Sequence, residues 1–252
     1  MNAIQNKRAQ VLLVSLGLAL IFIFVSFLLP KESQVGRIFF DRDTSILLYP
    51  FTIQNVMWLM FFCGFGELYH RYSFVSETQN ALDRAYLSHD PHIFYNLDDL
   101  HEIRKNTHDK KDALAQLINS LIIRYQVSQK SVEQTHQMLR SQLELKQFKL
   151  DVDYNIVKYI AWLIPTLGFI GTVMGIAITL ARAGIPGAAE QPDFLHNLTS
   201  SLSVAFNTTL VALMMSAVLV FAKHIIQGAE ERSIQLCGEY CLNNLVNKLI
   251  SK

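Results

Sequence analysis

Pro165-Thr-Leu-Gly-Phe-Ile-Gly-Thr-Val-Met-Gly-Ile176 lies inside a run, residues 159–181, that holds no charged side chain. A helix of about 20 apolar residues crosses a bilayer, so this run is long enough to span one. Gly168, Gly171, Thr172, Gly175 and Thr179 recur at helical spacing along one sector. Glycine weakens a helix, and three on one face call for a purpose such as close approach of a second helix. Thr172 sets a hydroxyl on or beside that bare face, well inside the hydrocarbon. The stretch reads as a packing and lining helix, not a lipid tether.

Three further blocks resemble it in length. Residues 9–30 and 46–65 are free of charge, and residues 197–222 carry none, with His196 just outside. Lipid offers the backbone no hydrogen-bond partner, so each block is expected to be helical. The predicted fold class is all-α: a polytopic membrane protein with four transmembrane helices and a long helical cytoplasmic extension. Its parts are a first hairpin over 1–66 (spans about 9–30 and 46–66) and a cytoplasmic helical region over 67–155. A second, channel-forming hairpin follows over 156–224 (spans about 156–182 and 197–223), then a cytoplasmic C-terminal helix over 225–252. The first block leaves through Ser-Phe-Leu-Leu-Pro-Lys, which offers no small-residue cleavage site, so an uncleaved span is favoured over a signal peptide. The long connector from Glu67 to Lys158 holds 12 of the 22 Lys and Arg residues. Lys7 and Arg8, Arg71, Lys158 and Lys223 all flank spans on that same side, which places both termini and the connector in the cytoplasm.

Between the spans, Leu114, Leu117, Ile118, Leu121, Ile122 and Tyr125 follow the spacing of an amphipathic helix, and Val132, Leu139, Leu143 and Leu150 extend the stripe. Residues 96–164 contain neither Pro nor Gly. A helix from about Lys111 is therefore expected to run unbroken into the third span, and another from Lys223 towards Leu249. A turn and a short helix are expected over residues 88–101.

A net charge of +1 points to neither nucleic acid nor an acidic substrate. Of the three cysteines, Cys237 and Cys241 are four apart on a predicted cytoplasmic helix, where disulfides are disfavoured, and two thiols do not complete a zinc site. His89, His92 and His101 with Asp98 and Asp99 match no metal spacing. No phosphate loop, paired-histidine zinc motif or nucleophile elbow occurs. The expectation is a protein that is not an enzyme, with no cofactor and no metal.

The fourth block offers Ser201, Ala205, Thr208, Thr209, Ala212 and Ser216 as a stripe of small residues, with Asn207 beside it. On one reading these residues only let two helices approach, their hydroxyls bonding to the preceding turn. On the other, Thr172 with Thr208 or Thr209 edges a water-accessible ion path. No Asp, Glu, Lys or Arg lies within any block. A proton relay normally needs an ionisable group near the middle of the membrane, so a proton-conducting chain of this kind needs the acid from a second subunit. Gln54 and Asn55 cannot titrate and are read as interhelical hydrogen-bonding groups.

Pro165-x-x-Gly168-x-x-Gly171-Thr172-Val173-x-Gly175-Ile176, followed after a short loop by Ala205-Phe-Asn-Thr-Thr209-Leu-Val-Ala-Leu213, resembles the MotA/TolQ/ExbB proton-channel family. The four-span layout looks like the flagellar stator MotA, the glycine–threonine motif more like the three-span TolQ and ExbB. The resemblance implies a stator or molecular-motor subunit of the bacterial inner membrane. Five copies would surround the single transmembrane helices of two MotB/TolR/ExbD-like partners, each helix bearing an Asp. Proton flow, or Na⁺ flow as the alternative, would drive mechanical work. It further implies Thr172 and Thr209 as pore-lining residues. Thr208 and Asn207 support them, and Pro165, Gly168, Gly171, Gly175, Ala205 and Ala212 serve packing and conformation. On this view the bare face meets an adjacent copy and the acid-bearing helix. Proline lacks an N–H, so Pro165 also leaves the Ala161 carbonyl without its helical donor. The chain departs from the pattern at Val204, where TolQ and ExbB carry Glu, and at Ala212, where the family has glycine. Two rivals remain at this stage: a non-conducting oligomeric scaffold, and a self-contained transporter or channel.

Overall fold

Chain breaks in this protein follow capping chemistry more than hydropathy. The computed structural model describes residues 2–28 and 52–249, apart from 89, 91, 111, 129–130, 188–189 and 191. Seven α-helices occur among the described residues: α1 (Asn2–Leu28), α2 (Ile53–Asp83), α3 (Leu97–His108), α4 (Ala113–Val127), α5 (Val132–Asp153), α6 (Asn155–Ala183) and α7 (Phe194–Asn244), with a 3-10 turn at Val246–Lys248. A lone parallel bridge between Tyr95 and Leu249 is the one β feature described.

The helix expected to run unbroken from about Lys111 is interrupted. Asp112 caps α4 by accepting from the Ala115 N–H at 2.8 Å, and Ser131 caps α5 by accepting from the Gln134 N–H at 3.3 Å. α4 ends at Val127 and the Ser131 cap starts a new helix at Val132, so the apolar stripe doubles back on itself. Leu114, Leu117, Ile118, Leu121, Ile122 and Tyr125 are all buried, and Leu139 of α5 joins their cluster. Only Tyr154 separates α5 from α6, and its N–H still bonds to the Leu150 carbonyl at 3.1 Å. The expected C-terminal helix is the unbroken continuation of α7, which runs 51 residues through Gly228 and Gly238.

Among the described residues three helical segments are long and apolar enough to cross a membrane: Lys7–Val25, one within Val132–Ala183 and one within Phe194–Lys248. The fourth predicted span, about 46–66, falls in part on residues outside the described ones; its remainder, residues 53–66, is the uncharged beginning of α2. Leu13, Ile21, Phe24, Trp162, Phe169, Val173, Phe206, Leu213 and Phe221 are exposed. Water would penalise that surface at roughly 25 cal/mol per Å², while lipid does not. This is a membrane protein.

The chain divides into two compact units, Met1–His70 with Asn155–His224 and Arg71–Tyr154 with Ile225–Lys252. In the first, Arg8 of α1 donates Nε to Glu67 Oε2 of α2 at 3.0 Å and forms an ion pair with it, Nη2 lying 3.0 Å from Oε1. Glu67 is buried just past the charge-free block, so α2 carries a carboxylate whose charge a cation on α1 meets. Higher on the same pair, Phe22 lies 4.6 Å from the Trp58 ring and 5.4 Å from Phe62. A Cβ on Gly64 would touch Leu219 at 3.0 Å and Ile160 at 3.4 Å, which is where α2 meets α6 and α7.

The second unit has a conventional apolar core of Leu100, Leu117, Leu121, Leu139, Leu245 and Leu249 with the thiols of Cys237 and Cys241. Its C-terminal end is tied down. Lys248 donates Nζ to the Ser88 carbonyl at 2.6 Å, and the Tyr95 N–H donates to the Lys248 carbonyl at 3.0 Å. Burial pushes Cys237 up to about 11 and Cys241 up to about 12, with Lys146 pulling the other way. At about pH 8 no more than about one Cys237 thiol in a thousand is then ionised, and the thiolate is the reacting form. Iodoacetamide at that pH should leave Cys237 and Cys241 unmodified in the folded chain and label both after denaturation, as peptide mass spectrometry will read.

Candidate functional site

Glycine and alanine let α6 and α7 meet backbone to backbone. A Cβ on Gly175 would stand 2.6 Å from Ala205 Cβ, and one on Gly171 would stand 2.9 Å from Thr208 Cγ2. At Gly168 the added carbon would overlap Ala212 Cβ and come within 3.3 Å of Thr209 Cα. The two helices are antiparallel partners along this seam, each small residue on one facing a small residue on the other. The bare face expected to meet an adjacent copy is therefore occupied by α7 of the same chain. The reason is spacing: Ala205, Thr208 and Ala212 repeat at three and four residues, the register that glycines at 168, 171 and 175 present in reverse.

Hydroxyls fill the polar part of the seam. Thr172 Oγ1 pairs with Thr209 Oγ1, and it lies 3.2 Å from the carbonyl oxygens of Gly168 and Ala205. Thr209 Oγ1 donates to the Gly168 carbonyl at 2.8 Å. Two hydroxyls and two carbonyls thus form one knot of four oxygens across the helix pair. Each hydroxyl has a single hydrogen, so both are engaged within the knot, and lone pairs are what it has left to offer. Thr172 and Thr209 are half-buried. The knot lies midway along the uncharged run, between Lys158 and Arg182.

The other predicted residues separate around it. Thr208 is buried, but its hydroxyl donates to the Val204 carbonyl one turn back at 2.9 Å and only its methyl faces Gly171. Asn207 is half-buried on α7, as is Val204. Pro165 sits inside α6, which continues through it from Asn155 to Ala183. Its missing N–H is answered across the seam: Ser216 donates Oγ to the Ala161 carbonyl at 2.8 Å. Ser216 is legible in the sequence only as one of a small-residue stripe; its pairing with the carbonyl freed by Pro165 needs the fold. Thr179 extends the hydroxyl line towards Arg182, donating to the Gly175 carbonyl at 2.7 Å. Gln54 and Asn55 are buried near the start of α2, where the Asn55 N–H donates to Thr52 Oγ1 at 3.2 Å. Neighbouring Ile53 reaches within 3.7 Å of a Cβ placed on Gly171, so α2 backs the seam. Among the described residues no group of three or more His, Cys, Asp or Glu could hold a metal ion.

An uncharged helix pair knotted by hydroxyls, on helices long and apolar enough to cross a bilayer, marks an integral membrane protein. The model of the MotA/TolQ/ExbB proton channel family matches residues 105–238, and the chain belongs to that family. It is a family of channels, and the match covers α6 and α7 in full up to Gly238. No curated protein and no solved structure matches the chain.

Two double substitutions test the seam. Gly168→Ala should destabilise the purified protein in detergent by about 1–3 kcal/mol through overpacking against Ala212, and adding Ala212→Gly should recover most of the loss. Ser216→Ala should cost about 1–3 kcal/mol by leaving the Ala161 carbonyl unpaired. Measured in a Pro165→Ala background, where the backbone N–H returns, the same change should cost much less. Thermal melts of the four variants and two doubles decide both points.

Proposed function

We propose that this chain is the ion-channel subunit of a membrane motor. With a single-span, Asp-bearing partner of MotB/TolR/ExbD type, it converts proton-motive force into mechanical work, Na⁺ being the less favoured ion. The observation that carries the reading is the oxygen knot of Thr172, Thr209, Gly168 and Ala205 in the middle of a seam without one ionisable group. Hydroxyls and carbonyls relay or solvate an ion but do not hold a proton for release at neutral pH, so the titrating carboxylate must come from outside the seam. A partner Asp beside the knot completes the site: the lone pairs left on Thr172 and Thr209 accept hydrogen bonds from water or a hydronium that the Asp neutralises.

In this reading Thr172 and Thr209 line the pathway. Asn207 and Thr208 support it, Thr208 through packing on Gly171. Gly168, Gly171, Gly175, Ala205 and Ala212 hold the helices at the distance the knot requires. Four spans, a homopentamer around two partner helices, the bacterial inner membrane and cytoplasmic termini complete the proposal. The chain is not an enzyme and needs no cofactor.

A second reading has one observation in its favour. The hydroxyls of the knot bond to carbonyls of α6 and α7, which is also what a non-conducting scaffold would do with them. Thr172→Val separates the two. It removes one hydroxyl of similar size and costs about 1 kcal/mol of helix pairing. Reconstituted with a partner encoded beside it, the variant should keep its oligomer by native mass spectrometry while proton uptake into proteoliposomes drops at least about tenfold, a loss of about 1.4 kcal/mol or more. Unchanged uptake would favour the scaffold, and uptake without any partner would favour a self-contained channel.

A further inference from the structure

Within the second unit, four polar side chains from three parts of the chain converge on one point. Arg71 of α2 donates Nη1 to Glu230 Oε1 at 3.0 Å and meets Asp153 Oδ2 through Nη2 at 2.8 Å. The Tyr154 hydroxyl lies 3.0 Å from Glu230 Oε2 and donates to it. The guanidinium stands 5.0 Å from the centre of the Tyr154 ring. Tyr154 is fully buried and the Glu230 side chain is 5% exposed, whereas Asp153 keeps 30% of its side chain in solvent.

One cation thus sits between two carboxylates, and with both ionised the cluster carries a formal charge of −1. An unbalanced charge in a buried site is costly, and the ordinary relief is a proton. Asp153 has water to solvate its charge; Glu230 does not. The partners on the two oxygens of Glu230 also differ in kind. Arg71 on Oε1 is a donor only, whereas the Tyr154 hydroxyl on Oε2 can donate to a carboxylate or accept from a carboxylic acid. Proton uptake at Oε2 therefore reverses one hydrogen bond and leaves the four groups where they are.

We propose that Glu230 is a proton-binding carboxyl, and that its cluster with Arg71, Asp153 and Tyr154 is a pH-responsive clamp on the chain segments entering the second unit. The chain crosses between the units at residues 70–71, 154–155 and 224–225. Arg71 and Tyr154 flank two of these crossings and Glu230 lies six residues past the third. α2 and α7 pass through theirs as unbroken helices. The groups acting on Glu230 are Arg71 from α2 and Asp153 and Tyr154 from the α5–α6 break, while Glu231 on α7 acts on Tyr154. Burial pushes the Glu230 carboxyl up from its ordinary range, Arg71 and Tyr154 pull it down, and Asp153 adds to the rise.

The folded state then binds this proton more tightly than the unfolded chain does. Stability contributed by the cluster rises as pH falls through the folded-state pKa of Glu230, levels off below the ordinary value of 4.5, and is lost in the other direction. Acidification tightens the clamp. The inference goes beyond the ion-pathway reading and stands without it, since it needs neither a partner nor an ion gradient.

The test uses the full chain in detergent, with infrared difference spectra and thermal melts from about pH 5 to about pH 8. A protonated-carboxyl band should grow towards acid, be absent in Glu230→Gln, and coincide with a rise in melting temperature that the variant no longer shows. Asp153→Asn, which removes the neighbouring negative charge, should move the midpoint of the band down. Tyr154→Phe, which removes a donor to the carboxylate, should move it up. Should Glu230→Gln not fold, the two opposite shifts still decide. A band untouched by Glu230→Gln, or a midpoint that neither Asp153→Asn nor Tyr154→Phe displaces, overturns the proposal.

Discussion

Close approach of the α6 and α7 backbones is the constraint on which the rest of the membrane unit depends. Side chains of ordinary size hold helix axes about 8–10 Å apart, too far for a hydroxyl on one helix to reach a carbonyl on the other. Gly168 against Ala212 and Gly175 against Ala205 remove that spacer. Only then can Thr172 reach the Ala205 carbonyl, Thr209 the Gly168 carbonyl, and Ser216 the Ala161 carbonyl. Each glycine costs helix propensity of roughly 1 kcal/mol. In lipid, apolar surface gives helices no reason to associate. The interhelical hydrogen bonds and the dispersion attraction of the tight seam must therefore exceed that cost.

Pro165 becomes intelligible in the same frame. A proline in a helix interior normally breaks it, because one carbonyl loses its donor and hydrocarbon supplies no other. Here the orphaned carbonyl of Ala161 points at a helix near enough for Ser216 to serve it. α6 therefore carries a site where its own hydrogen-bond ladder is replaced by a bond to α7. A helix so joined bends about that point without exposing an unpaired polar group, provided the serine follows.

Much of this is legible in the sequence, and the illegible part has a physical cause. The bare face, the small-residue stripe and Thr172 follow from spacing, as does the buried stripe from Leu114 to Tyr125, whereas the choice of Thr209 over Thr208 comes from the family resemblance. What spacing does not contain is which surface a face meets. A glycine seam looks the same whether its partner is another copy or the next helix of the same chain, and here it is α7. The end of one helix at Val127 and the start of the next at Val132 are hidden because no Pro or Gly marks them. The signal is polar, Ser131 as the cap of α5, and competes with a hydrophobic periodicity that continues across both in register. Glu67 is hidden because a charge at the edge of an apolar block reads as the start of a loop. α2 runs on to Asp83, and Arg8 supplies the counter-charge from a segment 59 residues away.

Two kinds of buried polar chemistry are thus kept apart along the chain. The seam of α6 and α7 uses hydroxyls and carbonyls, groups whose charge does not change with pH, so its packing is insensitive to the ion it would pass. Ionisable groups lie past the ends of the apolar runs, as Arg8 with Glu67 and as Arg71 with Asp153 and Glu230. Had a carboxylate been placed beside Thr172 instead, its desolvation would have raised its pKa and it would have remained protonated for want of a cation, because no Lys or Arg lies within the seam. A neutral acid fixed in the seam would then release its proton poorly. An acid carried on a separate helix avoids this, since it meets the oxygen knot in one position and solvent or a counter-charge in another. In the cycle proposed above, the uncharged seam would be the half that stays constant while the partner acid titrates.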